Sequence, residues 1–239
     1  MENFVITEHN GLRYLENTNL NVLRLRHGFC DKSLDFKKSL RQLNVRKFCQ
    51  LFNVQELNLL EQCHSNKYIS VKSDNSHVGE INSDAFIIED RYSLKNIAYG
   101  VLSADCLPII LLSSHVLAII HSGWRGLANG ILIEVIDKMR QLAELNELCA
   151  VIGPAAGSDS YEVGEDVISL LGENAVFKPI SADKYLLSLS ETAHVILKNN
   201  FKKSLDFTAS NICVIKDSSY FSYRRQGEDS GRNLTFVIL

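Results

Sequence analysis

Three side chains carry the chemical question in this sequence: Cys106, His121 and His64. Leu107 to Leu112 and Val116 to Ile120 are apolar runs, separated by the polar break Ser113-Ser114-His115. That composition reads as two strands joined by a tight turn. With Ser113-Ser114 as the loop, Leu112 pairs with His115, and counting outward puts Cys106 directly opposite His121. Opposed residues share one face, with Cβ atoms about 4.5–5.5 Å apart. A thiol and an imidazole at that separation can share a metal ion or act as nucleophile and base. A loop longer by one residue would put them on opposite faces. His64, from a separate segment, adds a second imidazole. Two imidazoles and a thiolate suit Zn²⁺ and leave a fourth position for water or substrate.

Anion chemistry is the second theme. Gly123-Trp124-Arg125-Gly126 directly precedes a helical stretch. Glycines there let backbone amides approach an anion, and Arg125 adds a bidentate donor for phosphate or carboxylate. The competing reading is a tight turn with Trp124 in the core. The late loop Ser222 to Arg232 holds Arg224, Arg225 and Arg232, and Arg225 is a second candidate anchor for phosphate. Asp84 and Asp105 are the carboxyls available as proton donors, although Ser83-Asp84-Ala85 reads locally as no more than the start of a strand.

These residues need a scaffold, and the pattern along the chain supplies one. Strands are expected at Met1–Gly11 (with its turn), Leu23–Cys30, Leu57–Leu60, Tyr68–Val71, Ser83–Glu89, Ile97–Ser103, the hairpin, Glu147–Ile152, Ile212–Lys216 and Leu234–Leu239. The last of these reads as an edge or closing strand. Helices are expected within Ser33–Phe52 and over Leu127–Leu145, Glu165–Leu171 and Leu186–Asn200, with a loop at Asp74–Glu80. Strands come in hairpin-like clusters rather than strict βαβ alternation. The fold class is therefore α/β of the layered α+β type, with mixed β-sheets and helices on their outer faces. A single domain over 1–239 is expected, because neither a linker nor a repeat breaks the chain.

Composition narrows the partners. The chain is 46% hydrophobic and 22% charged with a formal charge of −3, so no global basic field argues for nucleic acid. No apolar run approaches membrane-spanning length. The start lacks a leader pattern, and six scattered cysteines form no C-x-x-C pair. Together these favour reduced thiols and a cytoplasmic protein.

Six segments in order resemble the YfiH-type family, historically described as laccase-domain or polyphenol oxidase proteins. They are Gln62-Cys63-His64-Ser65, Ser83-Asp84-Ala85, Ala104 to Pro108, His121 to Gly126, Gly153-Pro154 with Tyr161 to Gly164, and Phe221 to Arg225 with Gly231-Arg232. The resemblance implies that His64, Cys106 and His121 are catalytic and bind zinc. It also implies a fold similar to a bacterial toxin's Cys–His deamidase domain. It further implies phosphorolysis of adenosine, inosine or methylthioadenosine to base and sugar 1-phosphate, with deamination of adenosine to inosine. The small-molecule partners would then be a purine nucleoside and phosphate. Departures occur at Ser65, where the family has glycine, and at Ala155-Ala156, where it has cysteine and isoleucine. The first 60 residues match poorly.

Three other readings stay open on the residues alone. A metal-free Cys106–His121 hydrolase or amidase, acting for instance on peptidoglycan precursors, leaves His64 unexplained. A copper polyphenol oxidase would need His-x-His pairs, and none of the seven histidines forms one, although the same trio could take copper in vitro. A non-catalytic binding protein would have little use for three ligands and an arginine loop.

Overall fold

The computed structural model describes residues 3–73 and 81–239. The loop expected at 74–80 lies outside the described residues. The chain begins with β1 (Phe4–His9), β2 (Leu12–Asn17), the short helix α1 (Thr18–Val22) and β3 (Arg26–Cys30). Helix α2 (Arg41–Phe52) leads into β4 (Glu56–Leu59), β5 (Tyr68–Val71), β6 (Ala85–Ile88) and β7 (Ile97–Ser103). The hairpin is β8 (Leu107–Ser113) and β9 (Val116–Ser122), followed by α3 (Trp124–Ala128), α4 (Ile131–Leu142) and β10 (Glu147–Ile152). Then come β11 (Glu162–Gly164), α5 (Glu165–Leu171), β12 (Phe177–Pro179), β13 (Lys184–Leu187) and α6 (Leu189–Asn200). The chain finishes with β14 (Ser204–Ala209), α7 (Tyr223–Gln226) and β15 (Asn233–Ile238).

Two mixed sheets form the centre, ordered β1-β2-β3-β15-β7-β4 and β14-β10-β8-β9-β6-β5, with a small third sheet β11-β13-β12. The core divides accordingly. Phe29, Tyr99, Val101 and Val237 of the first sheet meet Phe86, Ile110, Leu117 and Ile119 of the second in a layer between them. On the outer side of the first sheet, Phe48 and Phe52 of α2 pack on Phe236 and Tyr14. On the outer side of the second, Ile131, Val135, Ile136 and Met139 of α4 pack with Ala193 and Leu197 of α6 against Ile109, Leu111 and Ala118. The order is helix, sheet, sheet, helix. Alternate residues of β8 and β9 enter different cores, which is why both read as continuous apolar runs.

Several elements differ from the sequence reading. The hairpin loop is Ser114-His115, with Ser113 opposite Val116 and Pro108 opposite His121. Ser114 takes the left-handed conformation at φ 54°. The register moves by two positions in sum, so the parity of the two faces is unchanged. The helix expected over Leu127–Leu145 is two helices, broken where Gly130 adopts φ 81°. The segment Leu23–Cys30 is strand only from Arg26, because Arg24 turns the chain at φ 56°. Helix α6 starts at Leu189 rather than Leu186, since Ser188 caps it by accepting from the Glu191 N–H. Residues Ile212–Lys216 are a turn: Cys213 makes only a bridge to Ala155, and Val214 is buried beneath it. Finally, β15 is no edge. It pairs antiparallel with β3 on one side and β7 on the other.

Candidate active site

The site lies where β9 ends, β8 begins and the chain leaves β4. Gln62 positions the first ligand by local mimicry of a strand. Its side-chain amide donates to the Leu102 carbonyl at 2.7 Å and accepts from the Leu102 N–H at 2.7 Å, extending the β4–β7 pairing past its last backbone pair. The chain then turns sharply, with His64 at φ 58°. Cys106 is held from its other flank. Asp105 has φ 105°, a conformation costly for a residue with a Cβ. It is fixed there by Ser222 Oγ donating at 2.6 Å, by the Arg224 N–H donating at 2.7 Å and by the Ala156 N–H donating to its carbonyl at 2.8 Å. His121 is the penultimate residue of β9, and its backbone N–H donates to the Asp84 carbonyl at 2.8 Å.

Asp84 ties two of these pieces together. Fully buried, its carboxylate accepts from His121 Nδ1 at 2.9 Å, from the His64 N–H at 3.0 Å, and from the Ser65 N–H and Oγ at 2.6 and 2.8 Å. With Nδ1–H donated to Asp84, His121 has Nε2 free for the cluster. His64 Nε2 lies 3.8 Å from Cys106 Sγ, and the two imidazoles cross edge to face with centroids 4.9 Å apart. One donor atom from each of His64, Cys106 and His121 lies within 4.8 Å of the others, a set that can hold a metal ion. Gly123 keeps the space open, since a Cβ there would fall 2.7 Å from Cys106 Sγ. Two nitrogens, one sulfur, a carboxylate behind one imidazole and an open side fit a three-ligand metal centre.

The electrostatics of the metal-free trio follow from the same contacts. Burial alone would push the Cys106 thiol up. The His121 charge and hydrogen bonds from His121 and His64 outweigh that and bring it down to about 6. Burial would lower His121, but the Cys106 charge and the Asp84 hydrogen bond raise it to about 9. Metal-stripped protein should therefore hold a thiolate–imidazolium pair between those limits. Alkylation of Cys106 by iodoacetamide after chelation, followed against pH by peptide mass analysis, is expected to rise with a midpoint near 6. A midpoint at the ordinary thiol value would contradict the pairing.

The trio opens into a cavity of about 860 Å³ whose walls include Trp124, Arg125, Tyr161, Tyr223 and Arg224. Arg125 is exposed, stacks over the Trp124 ring at 4.2 Å and makes no ion pair with the described residues. Arg225 is placed differently from the sequence expectation. Its guanidinium donates to the carbonyls of Val214, Ile215, Asp217 and Tyr220, so it braces the 214–220 turn and does not line the cavity. Its neighbour Arg224 reaches the wall instead, over the Tyr161 ring. The two carboxyls considered as proton donors are also otherwise engaged, Asp84 by the histidine loop and Asp105 by Ser222 and Arg224.

Comparison with known proteins places these features among relatives. The family model described as multi-copper polyphenol oxidoreductase laccase matches residues 29–239. A purine nucleoside phosphorylase of Clostridium acetobutylicum is 30% identical over 209 residues, covering 82% of each chain. An adenosine deaminase from an unknown prokaryotic organism is 31% identical over 154 residues, 60% of this chain and 59% of the other. The crystal structure of the hypothetical protein YfiH from Bacillus licheniformis superposes with a TM-score of 0.83 at 22% identity, covering 97% of this chain and 100% of that one.

Proposed function

The chain belongs to the multi-copper polyphenol oxidoreductase laccase family, and on that premise we propose that it is a purine nucleoside enzyme that binds zinc through His64, Cys106 and His121. One observation carries the reading: the three donor atoms converge within 4.8 Å at a cavity that also presents Arg125 and three aromatic side chains. Relatives named purine nucleoside phosphorylase and adenosine deaminase support the substrate class. When bound, zinc supplies a Lewis acid and a water that ionises near neutral pH.

The chain's own groups divide the remaining work. Asp84 holds His121 in the Nδ1–H tautomer and anchors the His64 turn, so the donor atoms are positioned before anything binds. Trp124, Tyr161 and Tyr223 offer faces for a purine ring. Arg125 holds phosphate through paired N–H donors and balances its charge as the glycosidic bond to the ribose breaks. Arg125→Ala is expected to raise the KM for phosphate at least tenfold and to leave metal content unchanged. An unaltered phosphate dependence would remove the anchoring role. The six cysteines are all free, which fits a reducing cytoplasmic setting. Among the described residues no helix is long and apolar enough to cross a membrane.

Product analysis with adenosine, with and without phosphate, on metal-quantified protein tests the reading. Adenine and ribose 1-phosphate formed only with phosphate mark a phosphorylase, and inosine marks a deaminase. Neither product from zinc-loaded protein overturns the proposal. The general affinity order of divalent ions would let the same donors take copper in vitro, but polyphenol oxidation by a multicopper centre is disfavoured by the absence of any His-x-His pair. A second reading is favoured by one arrangement: Asp84, His121 and Cys106 line up as orienter, base and nucleophile of a metal-free hydrolase or amidase, with peptidoglycan precursors as a substrate to try. Turnover that survives complete chelation and stops on alkylation of Cys106 would select it.

A further inference from the structure

The cavity is more basic than one phosphate requires. Six cationic side chains line it, Lys37, Lys38, Arg41, Arg125, Arg224 and Arg232, against the three carboxylates of Glu61, Asp105 and Glu228. This excess of positive charge occurs in a chain whose formal charge is −3. Four of the cations, Lys37, Lys38, Arg41 and Arg232, belong to elements remote in sequence from Arg125. They come from the approach to α2, from its first residue and from the loop before β15.

That group is built into the structure rather than carried on a tail. Asp35 Oδ1 accepts from the Lys37 N–H at 2.8 Å and from the Arg232 N–H at 3.0 Å, and the Phe36 N–H donates to the Arg232 carbonyl at 3.2 Å. Phe36 is completely buried, pinning the segment to the core. Lys37 Nζ lies 3.9 Å from Asp35 Oδ2. Arg232 spends one guanidinium nitrogen on the carbonyls of Ser230 and Gly231, and neither it nor Lys38 is ion-paired among the described residues. Arg41 pairs with Glu61 through one terminal nitrogen, while its Nε is buried without a partner. Holding an excess of like charge around one cleft is unfavourable until an anion enters it, and such a cleft concentrates anions.

We infer that Lys37, Lys38, Arg41 and Arg232 form a second anion subsite in this cavity, and that the purine nucleoside it takes carries a phosphate group of its own. The inference rests on the proposed nucleoside reading and specifies its substrate class. One subsite, at Arg125, holds the phosphate that reacts, and the other holds the phosphate borne by the sugar. A nucleoside monophosphate also uses more of the 860 Å³ than a bare nucleoside does.

The test is calorimetric titration of the metal-loaded full chain with adenosine 5′-monophosphate and with adenosine, in phosphate-free buffer at low ionic strength. The monophosphate is expected to bind at least tenfold more tightly. The preference should fall below threefold in the Lys37→Ala/Lys38→Ala double variant and reverse in Lys38→Glu, with thermal melts verifying that both are folded. Equal affinities in the wild type, or a preference undiminished in both variants, would overturn the subsite. Adenosine turnover, assayed on the same protein after phosphate is added, separates the two readings. Turnover without a monophosphate preference removes the subsite alone, whereas no turnover and no binding of either compound removes the nucleoside reading and the subsite with it.

Discussion

Cys106→Ala is expected to lose most of the bound metal and all nucleoside turnover while keeping the fold. Cys106 sits just before β8 and belongs to none of the three apolar cores, so truncating it opens no cavity in them. Its sulfur is the only anionic donor in the trio, and it lies next to His64 Nε2. Without it two neutral imidazoles remain, and zinc held by two ligands is bound far more weakly than by three. Loss of a supporting residue alone costs roughly 10–100-fold in affinity, and loss of a ligand should exceed that. Metal analysis after desalting, product chromatography and a thermal melt test the three parts. The variant should melt like chelated wild type, because ligand-linked stabilisation disappears when the ligand does. Unchanged metal content would remove the proposed centre.

The second large effect is expected at Asp84, a buried residue that does not line the cavity. Asp84→Asn preserves shape but gives only one acceptor oxygen, where the carboxylate serves His121 Nδ1, the His64 and Ser65 N–H groups and Ser65 Oγ. The new NH₂ must face at least one of those donors in a buried place. A buried donor left unsatisfied costs about 1–3 kcal/mol, and loosening a ligand's support costs roughly 10–100-fold in metal affinity. Stability should show a particular pH dependence. Burial tends to raise the Asp84 carboxyl, but hydrogen bonds from His121 and Ser65 and the His121 charge hold it well below the usual carboxylate range. A carboxyl depressed on folding stabilises the native state above its unfolded value of about 4, and that contribution is lost as pH falls toward the folded value. Denaturant unfolding of chelated wild type and variant should therefore differ most near neutrality and converge in acid. A difference independent of pH would mean that the carboxylate's charge is not what stabilises the turn.

Much of this site can be read from the chain, and the unreadable part has a common physical origin. The pairing of Cys106 with His121 follows from parity along a hairpin, which depends only on near neighbours. The loop reading that placed it was off by one residue on each strand. Because that shift is even in sum, both side chains stay on the same side. Asp84 shows the opposite case. Its local sequence is that of a strand start, and its role comes from β6 lying between β5 and β9, which brings the His64 turn and the end of β9 to one carboxylate. Arg225 lies away from the cavity because its guanidinium meets four carbonyls, and near a glycine loop a guanidinium that braces a turn looks the same in sequence as one that faces a ligand. For β15 the sequence leaves edge and closing positions both open, because apolar alternation identifies a strand but not its neighbours.

The position of β15 also ties the site to the closing of the first sheet. A domain folds as a unit. His64, Asp84, Cys106 and His121 all lie within the first 121 residues of the chain, yet Asp105, which sets Cys106, is held by Ala156, Ser222 and Arg224. Strands β3 and β7 cannot be joined until Asn233–Ile238 slots between them. Ser222 and Arg224, which hold Asp105, and Arg232, which clasps the Lys37 segment, arrive in the same late stretch. The donor cluster and the cavity walls are therefore completed together, by the same stretch that closes the first sheet.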